Sequence, residues 1–443
     1  MSQWKKVRIG YICKIVKGTT GIASAEPGQY PLVVTAEERK TCSTYQFDCE
    51  AVCIPLVSSS GHGKKSLKYV HYQSGKFALG TILCAVIPNN PNELDARFLH
   101  QYLQFYKDTV LVPLMKGAAN VSLSMKDIAT VEFSLPPIEK QRELSDLFIT
   151  LQKIQKKLTA ETEQQFEYTK FLRQIILQDA IEGKLTAEWR ENHPVIKGDP
   201  DYDAESLFEK IQIVKQEKGK KQKPLPAITE NEKPFAIPTN WKWVRLGDVA
   251  EILGGYAYKS HFFKEEGNNL VLRLGNIRTG YLRYEASPSF VGDDIAKNTA
   301  SYKILKSDII VTMTGTRGKR DYLYTLLIDE SHVSKYNMFL NQRLANIRSL
   351  YSPKYVYDVL QNDILKEPIF ESATGSANQA NIGMPALQKW AIPFPPLAEQ
   401  NEIVARVEKH LETITQLETQ IVTRETYTNQ LMQGILKDAF KEK

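Results

Sequence analysis

Apolar residues recur three and four positions apart over two long stretches of this chain. In the first, Leu144, Leu147, Leu151, Ile154 and Leu158 form one stripe, which resumes after a polar middle at Leu172, Ile176 and Ile181. In the second, Val407, Leu411, Ile414, Leu417, Ile421, Thr428, Leu431 and Ile435 repeat the pattern. This period puts the apolar side chains on one helix face, and a sustained alternation of threes and fours is the seam of a coiled coil. Pro136-Pro137 and Pro395-Pro396 stand where each helix should begin, because proline is tolerated before or at the first helical position. Glu139 and Glu399 suit the positive helix end, and Gly183 marks the expected stop of the first helix. A helix from Ile138 to Glu182 would be a rod of about 65 Å, long enough to act as a spacer. The competing reading is two separate amphipathic helices, each packed on its own globule.

Elsewhere the pattern is short: β-branched and aromatic runs broken by glycine and proline, as at Tyr30 to Val34, Ala51 to Val57, Phe77 to Ile87, Leu270 to Leu274 and Asp308 to Met313. Helical patches follow at Arg97 to Tyr106 and Lys354 to Leu365. The fold class expected is α/β (α+β), with two mixed globules.

The chain also repeats itself. Leu135-Pro136-Pro137-Ile138-Glu139-Lys140-Gln141 returns as Phe394-Pro395-Pro396-Leu397-Ala398-Glu399-Gln400, and Trp4-Lys5-Lys6-Val7-Arg8-Ile9-Gly10 returns as Trp241-Lys242-Trp243-Val244-Arg245-Leu246-Gly247. The register holds onward, pairing Leu172 with Leu431 and Ile176 with Ile435. The expected order is a globule over 1–137, a long helix over 138–185, a linker with a short helix over 186–240, a second globule over 241–396 and a second long helix over 397–443. If the helices pair, Leu144, Leu151, Leu158, Leu172, Ile176, Val407, Leu411, Ile414, Leu431 and Ile435 form the interface. Antiparallel pairing would relate the halves by a pseudo-twofold axis, so that one chain imitates a symmetric dimer. In the linker, Leu207, Ile211 and Val214 share a face of a short helix from Asp203 to Glu217. The charged run Lys218 to Pro226 reads first as solvated linker and second as a contact with nucleic acid.

Composition narrows the picture modestly. At 443 residues the chain is too long for one core and suits roughly three units. Hydrophobic content of 42% with 10% aromatics is that of folded soluble protein, the longest apolar runs are strand-sized, and the N-terminus lacks a leader pattern, so a cytoplasmic protein is expected. The net charge of +6 is mild support for a polyanionic partner. Five cysteines, Cys13, Cys42, Cys49, Cys53 and Cys84, read as buried thiols. A zinc site from Cys49, Cys53 and His62 or His71 is rejected for want of a second close pair.

Two loops carry the candidate chemistry. Ser58-Ser59-Ser60-Gly61-His62-Gly63-Lys64-Lys65 and Thr314-Gly315-Thr316-Arg317-Gly318-Lys319-Arg320 each follow a hydrophobic strand. Glycine lets backbone N–H groups approach a phosphate, and the cations neutralise it. Neither loop has the glycine and hydroxyl positions of a nucleotide P-loop, and a solvated hairpin tip remains the alternative. The expected DNA contacts are Lys64, Lys65, Lys68, Arg317, Lys319 and Arg320. They are joined by Tyr256, Tyr258 and Lys259 from a segment where aromatic and basic residues interleave, with Phe262 and Phe263 assigned to the core. Gly117-Ala118-Ala119-Asn120 and Gly375-Ser376-Ala377-Asn378 close the globules with matching small residues, suited to close approach of chain to chain or chain to DNA. No nucleophile, metal cluster or cofactor loop stands at motif spacing.

The helix starts with Gln141 and Gln400, the segment Gly183-Lys184-Leu185-Thr186-Ala187-Glu188-Trp189-Arg190, and Ile237-Pro238 leading into Trp241 to Gly247 together resemble the specificity subunits of type I restriction-modification enzymes, over essentially the whole chain. The resemblance implies two target recognition domains, each reading one part of a split DNA sequence, separated by helical regions in an antiparallel coiled coil. It implies a non-catalytic chain whose partners do the chemistry: two modification subunits that use S-adenosylmethionine to methylate adenine at N6, and restriction subunits that use ATP and magnesium to translocate and cut DNA. Recognition domains vary too freely for any base-reading residue to be carried over. The alternatives are the specificity subunit of a stand-alone adenine methyltransferase and a coiled-coil scaffold for two protein-binding globules.

Overall fold

A computed structural model describes residues 4–60, 63–217, 224–376 and 378–440. Two compact units emerge, one made of Met1–Gln164 with Ile421–Lys443 and the other of Gln165–Gln420. Each contains a globule and a stretch of both long helices.

In the first unit a four-stranded antiparallel sheet has the order Cys13–Lys17, Leu83–Pro88, Ala51–Pro55, His71–Gln73. A second four-stranded sheet runs Lys40–Cys42, Tyr30–Val33, Lys76–Leu79, Phe47–Asp48, with the middle pair parallel. Ala51–Pro55 is buried along its whole length, as its unbroken apolar run demands. Helix Ala96–Val110 starts at Asp95, whose carboxylate accepts the backbone N–H groups of Arg97 and Phe98, and Phe98, Leu99 and Leu103 pack with Val52, Ile54 and Val86.

The second unit repeats this plan. Its antiparallel sheet has the order Ala250–Gly254, Leu344–Ser349, Ile309–Thr312, Thr325–Leu327, and Asn269–Leu272 lies parallel to Asn337–Leu340. In both units an entry strand pairs antiparallel with the strand leading into a long helix: Lys5–Arg8 with Glu132–Leu135, and Lys242–Arg245 with Ala391–Phe394. The repeated proline motif has a shared purpose. Gln141 is fully buried and donates through Nε2 to Pro136 O at 2.8 Å; Gln400, 1% exposed, donates in the same way to Pro395 O at 2.8 Å. Each glutamine satisfies a carbonyl that the adjoining proline, lacking an N–H, leaves outside regular pairing.

The long helices run Ile138–Ile181 and Leu397–Ala439. Gly183 follows the first at φ +73, where an added Cβ would meet Pro238. Within each unit they pair antiparallel. In the first, Gln155 Nε2 donates to Asn429 Oδ1, while Leu144 and Phe148 share a core with Leu436 and Phe440. In the second, Arg173 pairs with Glu418 at 2.8 Å, and Leu177 and Ile181 pack with Ile403 and Val407.

The seam differs from the expected stripe. Leu144, Leu151, Leu158, Ile176, Val407, Leu411 and Ile414 are buried or half-buried as expected, but Leu172 is 41%, Leu431 64% and Ile435 37% exposed. Leu147, Ile154 and Leu417 are also exposed, while Thr162, Thr169, Met432 and Leu436 are buried. A seam recurs every 3.5 residues on average, which a stripe of apolar residues on a lone helix need not follow, so the outlying leucines rotate away from it.

The linker is not free chain. Helix Ala204–Glu217 buries Ala204, Leu207 and Ile211, whereas Val214 is exposed, contrary to expectation. Beyond it the Arg245 guanidinium, 4% exposed, donates to Pro226 O, Ala227 O and Lys389 O and pairs with both oxygens of Glu232. That binds the linker to the second globule and holds the Glu232 carboxyl at about 2, through the arginine first and Thr229 after it. Of the run Lys218 to Pro226, Lys218 to Lys223 lie outside the described residues. No helix among the described residues is long and apolar enough to cross a membrane.

Candidate nucleic-acid interface

In the second unit three loops meet around strand end Ile309–Thr312. The basic loop leaves through Thr314–Gly315, which pairs with Ala380–Asn381. Thr374 bridges Asn381, so the described parts of segment 374–381 close on each other beside the basic loop, and Arg317 Nη2 donates to Ala373 O at 2.8 Å. The turn after Asn337–Leu340 joins them: Met313 N–H donates to Arg343 O, and Gln342 N–H donates to Tyr256 O, both at 2.8 Å. An added Cβ at Gly255 would collide with Asn341 O, which is why the aromatic-basic segment begins with glycine.

The first unit builds the same assembly. Ser122 bridges both Val57 and Lys116, making hairpin 116–122 the counterpart of 374–381. Gly117 sits at φ +119 and Gly375 at φ +117, and at each an added Cβ would collide with a backbone carbonyl of the hairpin. Leu56 N–H donates to Ile82 O, and Thr81 N–H to Thr20 O, reproducing the bonds of Met313 and Gln342. Gly18 stands against Gly80 as Gly255 stands against Asn341. The small-residue segments that sequence marked without choosing between two roles are thus chain-to-chain clasps of the basic loops, although Ala377 lies outside the described residues.

The predicted contacts separate on inspection. Lys64, Lys65, Lys68, Lys259, Arg317 and Lys319 are exposed and form no ion pair among the described residues. Gly61 and His62 lie outside those residues. Lys68 stands over the Tyr69 ring at 5.1 Å. Arg320 is exposed but engaged: it adopts φ +50, grips both oxygens of Glu367 at 2.6 and 2.7 Å, and lies over Phe370 at 5.1 Å. The Glu367 carboxylate raises its pKa further. Tyr256 is 37% exposed, but Tyr258 is only 7% exposed and donates its hydroxyl to Thr299 Oγ1 at 3.0 Å, with burial raising its pKa. Tyr258 is therefore a core residue, because the hydroxyl finds a buried partner that sequence could not reveal. Phe262 and Phe263 pack on the same cluster, as expected.

Cys13, Cys42, Cys53 and Cys84 are buried free thiols and Cys49 is half-buried. Burial pushes the Cys13 and Cys84 thiols up to about 12. His71 lies opposite Cys53 in the strand ladder; burial first, then the Arg39 charge, lowers its pKa to about 4. No group of three or more metal-binding side chains occurs among the described residues.

The sequence profile described as the type I restriction modification DNA specificity domain matches residues 1–168 and 238–424. The specificity subunit of the type I restriction enzyme EcoAI of Escherichia coli is 29% identical over 268 residues, 57% of this chain and 41% of that protein. That of EcoDI, also from Escherichia coli, is 24% identical over 441 residues, 99% of this chain and 88% of that protein. The alignments with EcoAI and with EcoEI thus each span 41% of the relative's length. Among solved structures, a chain described for complex assembly and conformational transition of the type I restriction-modification system superposes with a TM-score of 0.61 at 16% identity, covering 100% of this chain and 98% of that one. The HsdS subunit of Thermoanaerobacter tengcongensis gives 0.51 at 16% identity, covering 99% and 97%. The profile takes in both globules and most of both long helices, and with it the chain belongs to the family of type I restriction modification DNA specificity proteins.

Proposed function

We infer that this chain is the DNA-specificity subunit of a type I restriction-modification assembly, non-catalytic in itself, and that each globule reads one part of a bipartite target. The observation that carries this reading is the loop assembly built twice on one scaffold. In both units a small-residue hairpin and a backbone-bonded turn flank the root of a loop that carries exposed cations without ion pairs among the described residues, Lys64 and Lys65 in one and Arg317 and Lys319 in the other. Exposed cations of this kind position a protein on phosphates, while the differing tips supply different base preferences. The target is therefore asymmetric.

The partners in this reading are double-stranded DNA, two modification subunits and restriction subunits. S-adenosylmethionine, ATP and magnesium belong to those partners, and the assembly works in the cytoplasm, where DNA is. Duplicated docking surfaces support two modification subunits. The second unit exposes Phe171, Leu172 and Ile175 at 65%, 41% and 38%, and the first unit exposes Tyr427, Leu431 and Ile435 at 66%, 64% and 37%. These are helix faces that a monomer has little reason to leave apolar, and Leu172 with Leu431 are equivalents in the internal repeat. The expected partner interface is thus on the outer face of the paired helices as well as in their seam. The globules with their loops, 1–137 and 241–396, would be the recognition domains.

A mobility-shift titration of the chain with its modification subunit tests the reading. Salt-sensitive binding to random duplex, plus a tighter component on the host's own methylated sequence, is expected. Binding of protein partners with no affinity for DNA at low salt would favour a coiled-coil scaffold instead, and loss of methylation in the host on deleting this gene, with no loss of restriction, would favour a stand-alone methyltransferase.

A further inference from the structure

The turn between strands Asn337–Leu340 and Leu344–Ser349 carries Gln342 and Arg343, neither of which the sequence singled out. Arg343 adopts φ +71, a left-handed conformation that side chains other than glycine, asparagine and aspartate seldom take. Both residues are exposed, and among the described residues neither side chain forms a hydrogen bond or ion pair. Their backbones, by contrast, are anchored: Gln342 N–H is held by Tyr256 O and Arg343 O by Met313 N–H. The turn is thus fixed between the aromatic segment and the root of the basic loop while its side chains are presented outward.

The first unit has a turn with the corresponding two bonds, but Thr81 and Ile82 occupy the tip and Ile82 does not share the left-handed φ of Arg343. Scaffold is conserved between the two units and tip chemistry is not. Strain retained at an outward-facing position with no internal partner points to function rather than folding. Arginine and glutamine are also the side chains that make paired hydrogen bonds to guanine O6/N7 and adenine N6/N7 in the major groove.

We propose that Gln342 and Arg343 read base edges in the second half-site, with Arg343 reading a guanine. This rests on the proposed DNA-specificity role and names the residues that carry it in the second unit. The neighbouring Lys319 and Arg317 then contact phosphates and set register, and the tip supplies the discrimination.

The test uses the full chain in complex with its modification subunit. Its probes are duplexes carrying the methylome-derived target and every single base-pair change in each half-site. Arg343→Gly relieves the left-handed strain, so the folded protein should melt no lower than the parent. Discrimination at one guanine of the second half-site should fall by about 5- to 150-fold, the range that one bidentate contact supplies. The first half-site and the salt slope should not change. Arg343→Lys, which keeps the charge but not the planar fork, should lose discrimination at the same base pair. Unchanged preference at wild-type affinity would overturn the proposal, as would an equal loss on all duplexes with a flatter salt slope, which would mean a phosphate contact. A lowered melting temperature for Arg343→Gly with loss of both half-site preferences would make the residue structural and also overturn it. Failure of the unaltered complex to prefer any sequence would instead overturn the DNA-specificity reading beneath it.

Discussion

Replacing Glu399 by alanine should destabilise the second unit by about 3–5 kcal/mol. Its carboxylate is fully buried in the first turn of the second long helix and accepts four hydrogen bonds. Oε1 takes Thr186 Oγ1 at 2.8 Å and Arg190 Nε at 2.9 Å; Oε2 takes Trp241 Nε1 at 2.8 Å and Asn240 Nδ2 at 3.2 Å. One side chain thus joins the segment after the first helix, the entry to the second globule and the start of the second helix. Alanine would strand the buried Trp241 and Thr186 donors at roughly 1–3 kcal/mol each. It would also remove the partner of Arg190, and breaking a buried pair from one side costs about 3–5 kcal/mol in total. Glu399→Gln keeps the shape and one acceptor but turns a donor toward a donor, so it should recover only part of the loss. Urea unfolding followed by tryptophan fluorescence is a suitable assay, since four of the five tryptophans, Trp189, Trp241, Trp243 and Trp390, lie in this unit. Lys140, the position equivalent to Glu399 in the internal repeat, only pairs with Glu143 on the surface, and its replacement by alanine is the control. A Glu399→Ala protein within about 1 kcal/mol of the parent would refute the clamp.

Alanine at Gly117 or Gly375 should lower the melting temperature, because a φ near +120 costs an L-residue about 1–3 kcal/mol and the Cβ collides with a hairpin carbonyl; an unchanged melting temperature would mean that the clasps can relax. Replacing Lys319 by alanine should flatten the slope of log affinity against log salt by about 0.9, whereas Arg320→Ala should leave the slope unchanged because Glu367 already neutralises that charge. Equal effects from the two would show that Arg320 leaves Glu367 to reach DNA. Asp358 is buried, its Oδ2 has no hydrogen-bond partner, and burial raises its pKa to about 6 despite Lys354 at 2.8 Å. A folded-state pKa above the unfolded value means the folded protein binds this proton more tightly. Its contribution is therefore full below the unfolded carboxylate range and lost as pH rises through about 6, by at most about 1.4 kcal/mol per pH unit. Unfolding free energies of the parent and Asp358→Asn, compared across that window, should diverge with rising pH as the parent alone loses stability, and parallel curves would refute the assignment.

Sequence alone determined the elements whose cause is local or repeated. Period in apolar spacing, proline pairs at the helix starts and Gly183 at the stop define the long helices, since helix phase and termination depend on neighbours within a few residues. The repeat disclosed two equivalent halves, and its glycines marked both basic loops. Only the tertiary structure decided what those residues meet. Tyr258 and Tyr256 look alike in sequence, yet Thr299, 41 positions away, takes the hydroxyl of one and leaves the other at the surface. Arg317, Lys319 and Arg320 are three similar cations until Glu367 claims one of them. Thr162 and Thr169 are buried while Leu172 and Leu431 are exposed, because paired helices must keep a common 3.5-residue repeat and a lone helix need not. Gln342 and Arg343 carry no local signal at all. Their setting comes from backbone bonds to residues far away in sequence, and it is long-range pairing, which no single stretch of chain encodes, that fixes them.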